Sequence, residues 1–257
     1  MSAARRLRAV IVDDEPPARA LLREYLAGIG DVDVVAECGD GFAAVAAVTE
    51  HDPDLLLLDI QMPQLSGFEV LEALDRNVAT VFITAYDEHA VRAFDVHAVD
   101  YLLKPFSAER LRLAVSRARA RIGSGAPPAP AGLAAAARPA GAPLARLVVR
   151  EGSRVVVVPV ADLDWVEAAD DYVILHAHGA SHRKQQTLSE LEAQLDSGRF
   201  VRAHRSIIVN LASVAAFETY AKDSRVAVLR DGTRVPVSRS GYARARQAIG
   251  DPGPARN

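Results

Sequence analysis

Cysteine is nearly absent. Cys38 is the single one in 257 residues, so no disulfide can close within the chain and no cysteine-built zinc site is available. Long apolar runs are missing as well. The best candidate, the four leucines at 55–58, is strand-sized and far short of the 18 or so residues that a membrane-spanning helix needs. The opening residues, Met-Ser-Ala-Ala-Arg-Arg, lead directly into a short strand-like run, without the length or cleavage pattern of a secretory signal. These absences predict a cytoplasmic protein that does not span a membrane. Aromatic residues make up only 5%, which argues against a surface built to stack unpaired bases. What is present suffices for folding. Half of the chain is hydrophobic and 25% is charged, enough to fill two cores and too apolar for a disordered polyampholyte.

The net charge of −3 conceals an asymmetry. Residues 1–122 carry 13 Lys and Arg against 20 Asp and Glu, a net of −7, whereas residues 144–257 carry 16 against 13, a net of +3. Within the latter, 202–246 holds 9 basic and 3 acidic residues, a net of +6. An acidic first half and a basic late segment point to a polyanionic partner for the second half alone. Between them, 18 of the 21 residues at 123–143 are Gly, Ala or Pro. Such a stretch buries almost nothing and reads as a linker, roughly 65 Å long if extended at about 3.1 Å per residue.

The first half alternates strand and helix patterns. Strands are expected at 8–12, 32–38, 55–58, 80–84 and 100–103. Helices are expected from Pro16 to Ile29 and at 41–50, 67–74, 88–95 and from a cap at Ser107 to about 122. Five strand–helix pairs predict an α/β fold, a doubly wound five-stranded parallel sheet that binds ligands beyond the carboxyl ends of its strands. Asp13, Asp14, Asp59, Thr84 and Lys104 all fall at those ends. Taken singly, an Asp or a Lys-Pro there is commonplace. Together they suggest Mg²⁺ held by hard oxygen ligands and a phosphoryl-accepting carboxylate, Asp59, with the Thr84 hydroxyl and the Lys104 cation facing the transferred group.

The motifs IVDDEPPAR, LLLLDIQMPQLSGFEVL and FITAYDEHAVRAFDVHAVDYLLKPF resemble a response-regulator receiver domain over about 7–122. The resemblance implies that Asp59 is the phosphoacceptor. It makes Asp14 and the Gln61 carbonyl direct Mg²⁺ ligands, with Asp13 acting mainly through water. It places Thr84 and Lys104 on the phosphoryl group and Tyr101 at the family's switch aromatic, although a plain strand tyrosine would also suit that position.

The second half, 144–250, is mainly β: short β-branched runs separated by turns such as His178-Gly179 and Asp231-Gly232. Helices are expected at 188–195, with Ser189 and Glu192 forming a capping box, and at 240–248. Its composition alone leaves nucleic acid, a protein or a membrane surface open as partners. The segments FVRAHRSIIVNL, RDGTRVPVSRSGY, LDWVEAADDYVILHAHG and TLSELEAQL resemble the LytTR DNA-binding domain. That family reads duplex DNA from loops on an elongated β fold. The likeness implies contacts from Asp170, Asp171 and Tyr172, from His204 and Arg205, and from Arg239, with Lys184 and Lys222 on phosphates. His204 also suits a structural role, Asp170 and Asp171 could equally repel phosphate, and Trp165 reads as core. Ile207 departs from the family, which often has an aromatic there.

The resulting expectation is a two-component response regulator, not an enzyme, phosphorylated by a sensor histidine kinase. It would bind double-stranded promoter DNA and form a homodimer on phosphorylation. A receiver whose output domain acts through protein contacts is the competing reading. A second catalytic constellation, which an enzyme with its own substrate would need, is not evident.

Overall fold

The computed structural model describes residues 5–74, 76–85, 98–123, 144–152, 154–221 and 224–249, and the chain divides into two compact units, residues 1–139 and 140–257. The expected helix at 88–95, most of the linker and Lys222 lie outside the described residues.

In the first unit the apolar runs become the strands of a single parallel sheet. They are β1 (Leu7–Val12), β2 (Val32–Cys38), β3 (Leu55–Asp59), β4 (Ala79–Thr84) and β5 (Asp100–Leu103), in the order β2-β1-β3-β4-β5. All four leucines of β3 are fully buried because helices cover both faces, so the strand carries a continuous apolar run and no alternation. Truncating one of them to Ala would cost about 2–5 kcal/mol. The helices are α1 (Pro16–Ile29), α2 (Gly41–His51), α3 (Gly67–Ala73) and α4 (Ala108–Gly123). Pro16 and Pro17 open α1, where a missing N–H costs nothing, and Ser107 accepts the Arg110 N–H at the start of α4. The order reverses between β1 and β3. This is the switch point at which such sheets bind ligands.

The second unit contains a five-stranded antiparallel sheet, β10-β9-β8-β12-β11, formed by β8 (Leu163–Ala169), β9 (Tyr172–Ala177), β10 (Ala180–Lys184), β11 (Phe200–His204) and β12 (Ile207–Asn210). One face is covered by the β6–β7 hairpin (Arg146–Glu151, Arg154–Pro159) and the short α5 (Leu188–Glu192), with Val166, Val173, Leu175, Leu191 and Ile208 in the core between them. Against the other face, over β11 and β12, pack a three-stranded sheet and the terminal α6 (Arg239–Ile249). That sheet comprises β13 (Val214–Ala221), β14 (Ser224–Leu229) and β15 (Arg234–Val237). Ile207, Val209, Ala227 and Val235 fill this second core, with Trp165, Phe217 and Tyr242 at its margin.

Two expectations are corrected here. The capping box of α5 is Thr187 with Glu190, not Ser189 with Glu192. Thr187 Oγ1 accepts the Glu190 N–H at 3.2 Å and Glu190 accepts the Thr187 N–H at 2.8 Å. Leu188 and Leu191 are both buried, so the helix begins at Leu188 with Thr187 as its cap. Trp165 is half-buried and not fully core; it stacks on His176 with centroids 3.8 Å apart. Ile207, at the position where an aromatic is common, is buried in the second core.

Candidate functional site

The strand ends of the first unit converge on one acidic pocket. Ligand oxygens of Asp13, Asp14 and Asp59 all lie within 4.8 Å of one another, with Asp13 fully buried and Asp59 nearly so. Like charges at that spacing repel unless cations join them. Lys104 supplies one: its Nζ donates to Asp59 Oδ2 at 2.9 Å and lies 2.7 Å from Asp13 Oδ2 and 3.5 Å from Glu15. The Lys104–Pro105 peptide is cis, and the Lys104 N–H donates to the Thr84 carbonyl at 2.8 Å, tying β5 to β4 at this end. Burial works against the Lys104 ammonium, but its close contact with Asp13, its hydrogen bond to Asp59 and the charges of both outweigh that and hold its pKa well above the ordinary lysine range. Burial also dominates for Asp59 and pushes its carboxyl upward, against the opposing pull of Lys104 and the Gln61 N–H at 3.1 Å.

Asp59 is held in place from behind. The first residue of α3, Gly67, packs so closely that a Cβ there would stand 2.4 Å from the Asp59 carbonyl oxygen, and its N–H donates to the Ile60 carbonyl at 2.9 Å. Only glycine allows α3 to start against this strand end. The donor set suits Mg²⁺: hard carboxylate oxygens, the Gln61 carbonyl two residues after Asp59, and a buried Asp13 Oδ2 that lies near Lys104 without an aligned hydrogen bond. Thr84 is fully buried at the end of β4 and Tyr101 is buried on β5.

Beside Tyr101 lies a cluster that the sequence did not reveal. The Asp100 carboxylate accepts a bidentate pair from Arg110 (2.7 and 2.6 Å), one bond from Arg117 (2.9 Å) and the Tyr101 N–H (2.8 Å). Arg110 also donates to the Tyr101 carbonyl at 2.7 Å, so α4 is fastened to the backbone of β5 at that tyrosine. Burial would raise the Asp100 carboxyl, but the Arg110 hydrogen bonds and the other contacts outweigh it and hold the carboxyl below the usual carboxylate range. Both arginines lie on the helix after β5, 10 and 17 residues away, a pairing visible only once α4 is docked.

In the second unit the β8–β9 and β11–β12 turns lie at the same end of the large sheet. Ala169 pairs with Tyr172 across the Asp170-Asp171 turn, and the Ala168 N–H donates to the Ser206 carbonyl at 2.8 Å. That bond places the His204–Ser206 turn next to it. Arg202 braces this turn from within, donating to the carbonyls of His204 and Arg205 and pairing with Glu192 at 2.8 Å. His204 Nδ1 lies 3.0 Å from Ser206 Oγ and 3.4 Å from the Ser206 nitrogen. Arg239 is brought to the same end because α6 presses on β11. A Cβ on Gly241 would stand 1.9 Å from the Ala203 carbonyl oxygen, and that oxygen accepts from both Ser238 N (2.9 Å) and Ser238 Oγ (3.1 Å). Asp170, Asp171, Tyr172, His204, Arg205 and Arg239 therefore lie at one end of the large sheet. Lys184 is buried, and its ammonium donates to the Val148 carbonyl at 2.7 Å, so it is withdrawn from the surface where a phosphate would be met.

A response regulator receiver domain matches residues 9–116 and a LytTr DNA-binding domain matches residues 153–250. The transcriptional regulatory protein BtsR of Escherichia coli is 34% identical over 248 residues, covering 95% of this chain and 99% of its own. The chain belongs to the LytTR response regulators. A response regulatory protein of Vibrio cholerae is 35% identical over 251 residues, covering 90% of this chain and 94% of its own. The solved LytTr domain of a Bacillus cereus DNA response regulator is 26% identical with a TM-score of 0.39, covering 42% of this chain and 98% of its own. A receiver joined to a LytTR domain makes this a two-component response regulator that binds DNA and regulates transcription, and neither domain is that of an enzyme family. Among the described residues, no helix is long and apolar enough to cross a membrane.

Proposed function

We propose that this response regulator is switched, in the cytoplasm, by phosphoryl transfer from a cognate sensor histidine kinase to Asp59. The observation that carries the reading is the convergence of three carboxylates and one lysine at the switch point of the sheet. The Asp59 carboxylate attacks the phosphorus of a phosphohistidine, an O–P bond forms as the P–N bond breaks, and the imidazole leaves. Asp14, Asp59 and the Gln61 carbonyl would hold Mg²⁺, with Asp13 acting mainly through water. When bound, the ion neutralises phosphoryl oxygens and keeps Asp59 ionised. Lys104 offers its cation to the same oxygens and Thr84 its hydroxyl. Drawing Thr84 toward the phosphoryl group disturbs β4 at its pairing with β5, where Tyr101 and the Asp100 clamp carry the change to the face of α4.

The LytTR half would meet duplex DNA through the aligned turns. His204 suits a base edge, Arg205 and Arg239 suit guanine or phosphate, and Asp170 and Asp171 suit a cytosine amino group. Because the two halves are joined by a Gly/Ala/Pro segment, a rigid push between them transmits little. Phosphorylation would act by pairing two receivers through the β5–α4 face, so that two DNA domains engage two half-sites.

A small-molecule phosphodonor with Mg²⁺ tests the first step. Wild type should incorporate acid-labile phosphate near one per chain and Asp59→Asn essentially none. Equal incorporation by Asp59→Asn refutes the assignment. Binding of duplex DNA with a steep salt dependence supports the second half of the reading, and salt-insensitive binding or none favours a protein-contact output domain.

A further inference from the structure

Arg183 has no part in the interface so far, yet it is built into the same end of the large sheet. It pairs with Ile174 across β9–β10, which makes it the diagonal neighbour of Tyr172, two residues before Ile174 on the same face. Its guanidinium carbon lies over the Tyr172 ring, 3.7 Å from the centroid. Strand alternation explains why adjacent cations have opposite fates: Lys184 points into the first core against Val173, while Arg183 is exposed on the other face. That other face also receives α6 with Arg239, because Ile207 and Val209 on it pack with Tyr242. Among the described residues no carboxylate pairs with Arg183, so its guanidinium donors are not spent on an ion pair.

Resting on the DNA-binding reading, we infer that Arg183 is a phosphate contact at the outer edge of the interface, held in place by Tyr172. Stacking on the ring lowers the rotamer freedom that a long exposed arginine would lose on binding and leaves the edge of the planar fork to hydrogen-bond outward. The sheet order places Arg183 on the edge strand β10 and the His204–Arg205 turn at the opposite edge. Four strand spacings of about 4.8 Å separate them, roughly 19 Å. At 3.4 Å per step along one strand this spans five to six base pairs, so Arg183 would grip the backbone while the His204–Arg205 turn and Arg239 read bases about half a helical turn away. An arginine on phosphate carries no sequence preference of its own. It sets register.

The test uses the full chain and two duplexes of equal length: one of random sequence and one recovered by selection with wild-type protein. Binding is measured by fluorescence anisotropy from 50 to 300 mM KCl. Arg183→Ala should weaken both duplexes by a similar factor, about eightfold near 0.1 M salt, and reduce the slope of log K against log salt by about one. Arg183→Lys should keep the slope and weaken binding less. The single tryptophan, Trp165, reports that the domain remains folded. If wild type binds and Arg183→Ala leaves affinity and slope unchanged, the inference fails while the DNA reading stands. Loss confined to the selected duplex would make Arg183 a base reader and overturn the phosphate assignment. A wild-type chain that binds neither duplex overturns both.

Discussion

Gly241→Ala should uncouple the last helix from the DNA-facing sheet. The new Cβ would stand 1.9 Å from the Ala203 carbonyl oxygen and 2.5 Å from its carbon, both backbone atoms of the penultimate residue of β11. Real Cβ contacts stop near 3.0 Å, so α6 must retreat by more than 1 Å or β11 must bend. Three hydrogen bonds depend on the present spacing: Ser238 N and Ser238 Oγ to the Ala203 carbonyl, and Arg244 to the Arg202 carbonyl at 2.6 Å. At about 1 kcal/mol each when lost, with about 1–3 kcal/mol for overpacking and not all lost together, the domain should be destabilised by about 2–5 kcal/mol. Trp165, the only tryptophan, lies at the margin of the core that Tyr242 joins, so urea unfolding followed by its fluorescence reports this domain and not the receiver. Arg239, at the start of α6, moves with the helix, so DNA affinity should fall by more than the loss of folded protein explains. A stability change below about 0.5 kcal/mol with unaltered DNA binding would refute the close-approach argument.

Two further outcomes follow from the receiver. Lys104→Met removes the cation shared by buried Asp13 and Asp59, which should destabilise the receiver by about 3–5 kcal/mol in metal-free buffer. Millimolar Mg²⁺ should recover part of that loss in urea titrations, and a change below 1 kcal/mol, or none on adding Mg²⁺, contradicts the pocket described. Asp100 has a folded pKa below its unfolded value of about 3.9, so its contribution is complete above that value and lost as pH falls through the lower folded one. Asp100→Asn should therefore cost about 1–3 kcal/mol at pH 7, discounted because Arg110 and Arg117 are substantially exposed, and the gap between variant and wild type should narrow as the pH falls below the unfolded carboxylate value. A gap independent of pH would remove the clamp from the account.

The receiver was legible because its chemistry sits where the hydrophobic pattern stops. Each apolar run that ends in Asp13, Asp59, Thr84 or Lys104 is a buried strand, and parallel topology brings those ends together without further information. The Asp100 clamp was not legible, since nothing local marks Arg110 and Arg117 as partners of a strand residue. In the second half, β10 is polar and lies at an edge, and β13 is alanine-rich, so neither carries the β-branched signal that exposed its neighbours. The misplaced capping box has the same origin. Residues 187–192 contain two overlapping matches to one pattern, and burial of Leu188 decides between them. Lys184 and Arg183 show the limit most directly, because which of two adjacent cations faces solvent depends on the pairing of β10 with β9.

Phosphate on Asp59 should pair two receivers and so strengthen binding to paired DNA sites. The most direct measurement is the affinity of the full chain, with and without phosphodonor and Mg²⁺, for duplexes bearing one half-site or two spaced by near-integral helical turns. Asp59→Asn and residues 144–257 alone serve as controls. Linked binding at an effective concentration on the order of millimolar predicts that phosphorylation tightens two-site binding by ten-fold or more. It should leave single-site binding nearly unchanged and have no effect on either control. Equal tightening on one site and on two would contradict pairing and point to direct release of the DNA domain by the receiver.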